Sequence, residues 1–108
     1  MSDPLAKLIS LTAHQTQNGG TDKLVLARDG IEIEGPISMG TGDEFDFDKQ
    51  DLVPFQQQLE LVLIAEHPGQ GPSNLGSVII RADELNRGQL TQQFRGGGAL
   101  YDLAYKVI

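Results

Sequence analysis

The stretch "KLVLARDGIEIEG", Lys23 to Gly35, decides the fold. In its second half Ile31 and Ile33 fall on one side and Glu32 and Glu34 on the other, the period of two expected of a strand with one buried and one wet face. Between the two halves lies Asp29-Gly30. A two-residue turn of type I′ needs positive φ at both central positions, and Asp-Gly supplies that better than almost any other pair. The stretch therefore predicts an antiparallel hairpin.

The same period recurs outward from it. "DEFDFD", Asp43 to Asp48, alternates Phe45 and Phe47 with acids. "QLELVLIAEH", Gln58 to His67, puts Leu59, Leu61 and Leu63 on one face, while the other passes from Glu60 to Val62 and Ile64, as in a central strand covered on both sides. "GALYDLAYKVI", Gly98 to Ile108, sets Tyr101, Leu103, Tyr105 and Val107 opposite Leu100, Asp102, Ala104 and Lys106. Turn-forming residues separate these runs: Asn18-Gly19-Gly20, Gly35-Pro36, Gly40 with Gly42, His67-Pro68-Gly69, Gly71-Pro72, Arg87-Gly88 and Gly96-Gly97-Gly98. About eight short strands at this spacing predict an all-β, antiparallel Greek-key sandwich forming a single domain over 1–108. Helix is expected only as one turn near Ala82 to Asn86, stopped by Gly88. The expected core is Leu8, Leu24, Leu26, Ile31, Ile33, Phe45, Phe47, Leu61, Leu63, Ile79, Phe94, Leu103 and Tyr105.

Composition narrows the function. Eight Lys and Arg against fifteen Asp and Glu leave a net charge of −7, which repels nucleic-acid phosphates and anionic lipid headgroups. With no cysteine, disulfides and thiolate metal sites are ruled out. The opening "MSDPLAKLIS" lacks the basic and apolar regions of a secretion signal, so a cytoplasmic location is favoured. The longest apolar run, Leu61 to Ala65, falls far short of the roughly 20 residues that span a bilayer.

No catalytic constellation stands out. His14 and His67 are the only imidazoles, and no serine sits in a G-x-S-x-G elbow, so His14 reads as the end of a strand and His67 as a turn residue. "GTGDEF" and "GQGPSNLG" lack the later glycine and following helix of a dinucleotide site. "RGGGAL" reads as a flexible hairpin connection. The acids around Phe45 and Phe47, Asp43, Glu44, Asp46, Asp48 and Asp51, do not have EF-hand spacing and read as a solvated strand face, as do Glu32 and Glu34.

"LISLTAHQTQNGGTDKLVLARDG" followed by "LELVLIAEHPGQGPSNLGSVII" resembles the core pattern of C2 domains. "GGTDKLV", Gly19 to Val25, is similar to the family's first ligand loop. "LVLIAEHPGQGPSNLGSVII" has the frame of a later one, an apolar strand, a loop and then Leu75-Gly76. The resemblance implies a sandwich whose loops at one end bind calcium and then lipid or protein. It places Asp22 at an acidic position, Thr16 where another carboxylate is expected, and Ala65, His67 and Ser73 at the second loop's ligand positions, with Glu66 displaced by one. Calcium usually needs several carboxylates to offset its dehydration. The expectation is thus a non-enzymatic module that binds protein, or itself, without calcium. The alternative is a calcium-dependent binder of lipid or glycan with Asp22, Glu66 and Asp43 as metal ligands. Scattered Lys and Arg offer no basic groove for a membrane.

Overall fold

The computed structural model describes residues 3–17, 20–47, 52–66 and 71–108. Asn18, Gly19, Asp48, Asp51, His67, Pro68 and Gly69, named above, lie outside the described residues. Among those described, nine strands form: β1 (Leu5–Gln15), β2 (Asp22–Arg28), β3 (Ile31–Met39), β4 (Glu44–Asp46), β5 (Leu52–Pro54), β6 (Gln58–Glu66), β7 (Ser73–Arg81), β8 (Leu90–Gly96) and β9 (Ala99–Val107). A 3₁₀ turn, Ala82–Glu84, stands where the helical turn is expected.

Two antiparallel sheets face each other. Sheet A runs β4-β1-β9-β8, with β5 also paired to β1, and sheet B runs β3-β2-β6-β7. β4 pairs with β1 around Leu11 and β5 pairs around Ala6, so these two short strands act as one interrupted edge. That accounts for nine strands where about eight are expected. The β2–β3 turn has positive φ at Asp29 (53°) and Gly30 (79°), the geometry the Asp-Gly pair predicts.

The core between the sheets follows the alternation. Leu59, Leu61 and Leu63 of β6 and Tyr101, Leu103, Tyr105 and Val107 of β9 are all buried, and Phe45 meets Phe47 edge to face at 5.2 Å. Two expected core residues are exposed instead. Ile31 is 68 % exposed because it follows the turn directly. Ile79 is 38 % exposed. The reason lies in β7: Val62 faces Ser77 while Ile64 faces Asn74, so Leu75 and Gly76 oppose the single residue Leu63. This bulge changes which parity points inward. Leu75 is buried before it, and Val78 and Ile80 after it.

The bulge also closes one seam of the sandwich, because β7 and β8 are edge strands of opposite sheets that come together at Gly76. A Cβ there would lie 2.6 Å from the Arg95 carbonyl oxygen and 2.7 Å from its amide nitrogen, and φ is +113°. Only glycine meets both conditions. The Gly96-Gly97-Gly98 run is a two-residue hairpin turn with Gly96 against the Leu75 and Gly76 backbone. Gly96, without a Cβ, admits the neighbouring strand β7.

Gly76→Ala should destabilise the protein by about 3 kcal/mol or more in denaturant unfolding, as expected where strain and a backbone clash coincide. Gly88→Ala also has positive φ but opens onto empty space, and should cost only about 1–2 kcal/mol. Equal effects would show that the seam is not tightly closed.

Candidate functional site

The three acids proposed for a metal lie at one end of the sandwich. Asp22 opens β2, Glu66 closes β6 opposite Lys23, and Asp43 precedes β4. Asp22 is 1 % exposed. Its Oδ2 accepts hydrogen bonds from the Tyr101 hydroxyl at 2.6 Å and from the Gln17 backbone N–H at 2.9 Å. This carboxylate ties the β1–β2 loop to the inside of the fold. Thr16 strengthens the tie, donating from Oγ1 to the Gly20 carbonyl at 2.6 Å.

Asp43 accepts the Gly40 N–H on Oδ2 at 2.8 Å, stabilising its own turn. Glu66 is exposed. No three His, Asp or Glu side chains converge on a possible ion position among the described residues. Buried polar groups keep hydrogen-bond partners, so drawing Asp22 onto an ion would leave the Tyr101 hydroxyl to find another acceptor.

A matching arrangement occupies the other end. The Tyr105 hydroxyl donates to Glu84 Oε2 at 2.8 Å and accepts from Gln92 Nε2 at 2.8 Å. Gln92 Nε2 also donates to the Ile79 carbonyl at 2.6 Å, linking β8 to β7. Glu84 in turn accepts the Arg81 N–H at 2.8 Å. Burial, with smaller contributions from Glu84, pushes the Tyr105 phenol up to about 12 against the hydrogen bond from Gln92. Burial first, and then Asp22, raises the Tyr101 phenol further.

On the solvent side of sheet A, His14 Nε2 and Asp102 Oδ2 lie 2.6 Å apart. The imidazole is nearly half exposed, while Asp102 Oδ1 is buried without a partner among the described residues. Eighty-eight residues separate the two, so no spacing motif could reveal them; only the pairing of β1 with β9 does. Thr12, Gln93, Arg95 and Lys106 make much of the remainder of this face polar, with Leu100 and Ala104 of β9 as apolar members.

The outer face of sheet B is different. Along the two central strands, Lys23 faces Glu66, Val25 faces Ile64 and Ala27 faces Val62. Val25 and Ala27 are buried, yet neither belongs to the core between the sheets. Gly35 lies over Val25. With half-buried Val62 and Ile64 and exposed Ile79, they make an apolar centre bordered by Lys23, Glu66, Glu60 and Glu32. At the open edge between β3 and β5, a cleft of about 280 Å³ is lined by Leu8, Ile33, Leu52 and Val53, and Arg28 donates across it to the Pro54 carbonyl.

No model of a known protein family matches the chain. No curated protein is similar to it in sequence at a significant level.

Tyr101→Phe should cost about 1–3 kcal/mol by leaving Asp22 without its hydroxyl donor. A free phenol in the unfolded chain ionises near 10, below the value in the fold. The folded state therefore holds its tyrosine protons where the unfolded state loses them. Stability is full below pH 10 and falls as pH rises toward 12. Phenolate absorbance from the two tyrosines should appear only as the protein unfolds in alkali. Phenolate formed near pH 10 with the fold intact would contradict their burial.

Proposed function

We propose that the protein is a non-enzymatic binding or assembly module, C2-like in architecture, which contacts protein through the outer face of sheet B without calcium. The observation that carries this reading is the apolar centre formed by Val25, Ala27, Val62 and Ile64 on the side of the sheet away from the core. Burying apolar surface is the main driving force of association, and a ring of charged residues around it fits an interface with a dry centre and polar rim. On the opposite face, central strand β9 alternates Leu100 and Ala104 with Asp102 and Lys106, so charge interrupts the apolar residues there.

The calcium-independent part draws support from the engagement of Asp22 and Asp43 with their own loops. The family resemblance would put ligands at this end. Asp22 instead accepts two hydrogen bonds from inside the fold.

Two measurements test the reading. Millimolar calcium added to chelator-treated protein should leave Tm unchanged; a rise of several degrees would favour a calcium-dependent binder of lipid or glycan using Asp22, Glu66 and Asp43. A photo-crosslinking residue at Ile64 should give protein adducts in cells, and one at Thr91 of sheet A should not. Adducts from position 91 alone would place the binding surface on the other sheet.

A further inference from the structure

Resting on that reading, we propose that the partner is a second copy of this chain, packed sheet B against sheet B about a two-fold axis parallel to the strands and midway between β2 and β6. The face is self-complementary about that axis. Such an axis keeps each residue's position along the strands and exchanges the two central strands. Every residue of β2 then falls over the residue it already faces on β6, but in the other copy.

The register makes that exchange favourable at the three central levels. Lys23 lies over Glu66 of the second copy, and Glu66 over its Lys23. Val25 meets Ile64 and Ala27 meets Val62, each twice by symmetry. Small Ala27 is matched to larger Val62. Toward the edges, Glu32 of β3, the neighbour of Ala27, falls over Ser77 of β7, the neighbour of Val62, so no like charges oppose each other there.

Sheets packed face to face normally cross at about 30°, which displaces the outer strands but leaves the central pairs near the axis in contact. Most of the net charge of −7 lies off this face, whose border carries Lys23 and Arg81 as well as acids.

The test is sedimentation velocity across the micromolar range with wild type, Lys23→Glu, Glu66→Lys and Ile64→Glu, each checked for an unchanged fold by circular dichroism. Wild type should form dimers. Either single charge reversal places like charges over each other twice and should weaken association about tenfold or more. An equimolar mixture of the two charge-reversed variants should recover dimers. The reversed charge at position 23 of one copy then meets the opposite, also reversed, charge at position 66 of the other, while each chain's internal mismatch persists. Ile64→Glu should be monomeric.

A wild type that stays monomeric at high micromolar concentration overturns the proposal. Dimers that survive Ile64→Glu would place the contact elsewhere and also overturn it, as would a mixture that fails to recover association. A monomeric wild type whose position 64 still crosslinks to another protein would leave the binding-module reading standing and reject only the second copy as partner.

Discussion

The hydrogen bond from the Tyr101 hydroxyl to the buried Asp22 carboxylate is the constraint on which the loop end of the molecule depends. A phenol and a carboxylate taken out of water each need a partner, and leaving either unmatched is costly. Their pairing spans 79 residues of sequence, joining the last strand of sheet A to the start of β2 in sheet B. The Gln17 N–H, on the same oxygen, then folds the β1–β2 loop over the junction. Tyr105, four residues farther along the same face of β9, makes the corresponding link to Glu84 at the other end. One strand thus fastens both ends of the sandwich through two phenols and two acids.

The acids that invite a metal reading divide by environment. Asp22 is a core residue in all but chemical type, Asp43 stabilises a turn, and Glu66 stands on the rim of a sheet face. The principal carboxylate of this loop end serves the fold. The outer face of sheet B carries the apolar residues that the core does not use. The proposed function therefore belongs to a sheet surface, where central strands β2 and β6 hold the residues rigidly, and not to the loops.

The alternation of residues made much of this legible. Ile33, the Leu59, Leu61 and Leu63 row and the inward side of β9 follow from period two, and Asp29-Gly30 from turn chemistry. Ile79 was beyond that rule, because the bulge at Leu75–Gly76 shifts parity within one strand and depends on the partner strand. The second apolar face of β6 was visible as Val62 and Ile64, but alternation alone does not say whether another layer of the chain covers it. Its neighbours already screen Val25 and Ala27, while Val62 and Ile64 stay half-buried and no further layer of the described residues lies over them. The Tyr101–Asp22 and His14–Asp102 pairs were hidden for a different reason: they depend on which strands become neighbours. A hint existed in the two tyrosines at inward positions, since a buried hydroxyl calls for a partner.

On the proposed function, the working surface is the outer face of sheet B and the loop end is a fixed structural fastening. Methyl-resolved NMR on a dilution series, repeated with calcium, tests this most directly. Concentration-dependent shifts are predicted at the methyl groups of Val25, Val62, Ile64 and Ile79, with the Asp22 and Tyr101 surroundings unchanged by calcium. Shifts confined to the β1–β2 and β3–β4 loops, or appearing only when calcium is present, would contradict it.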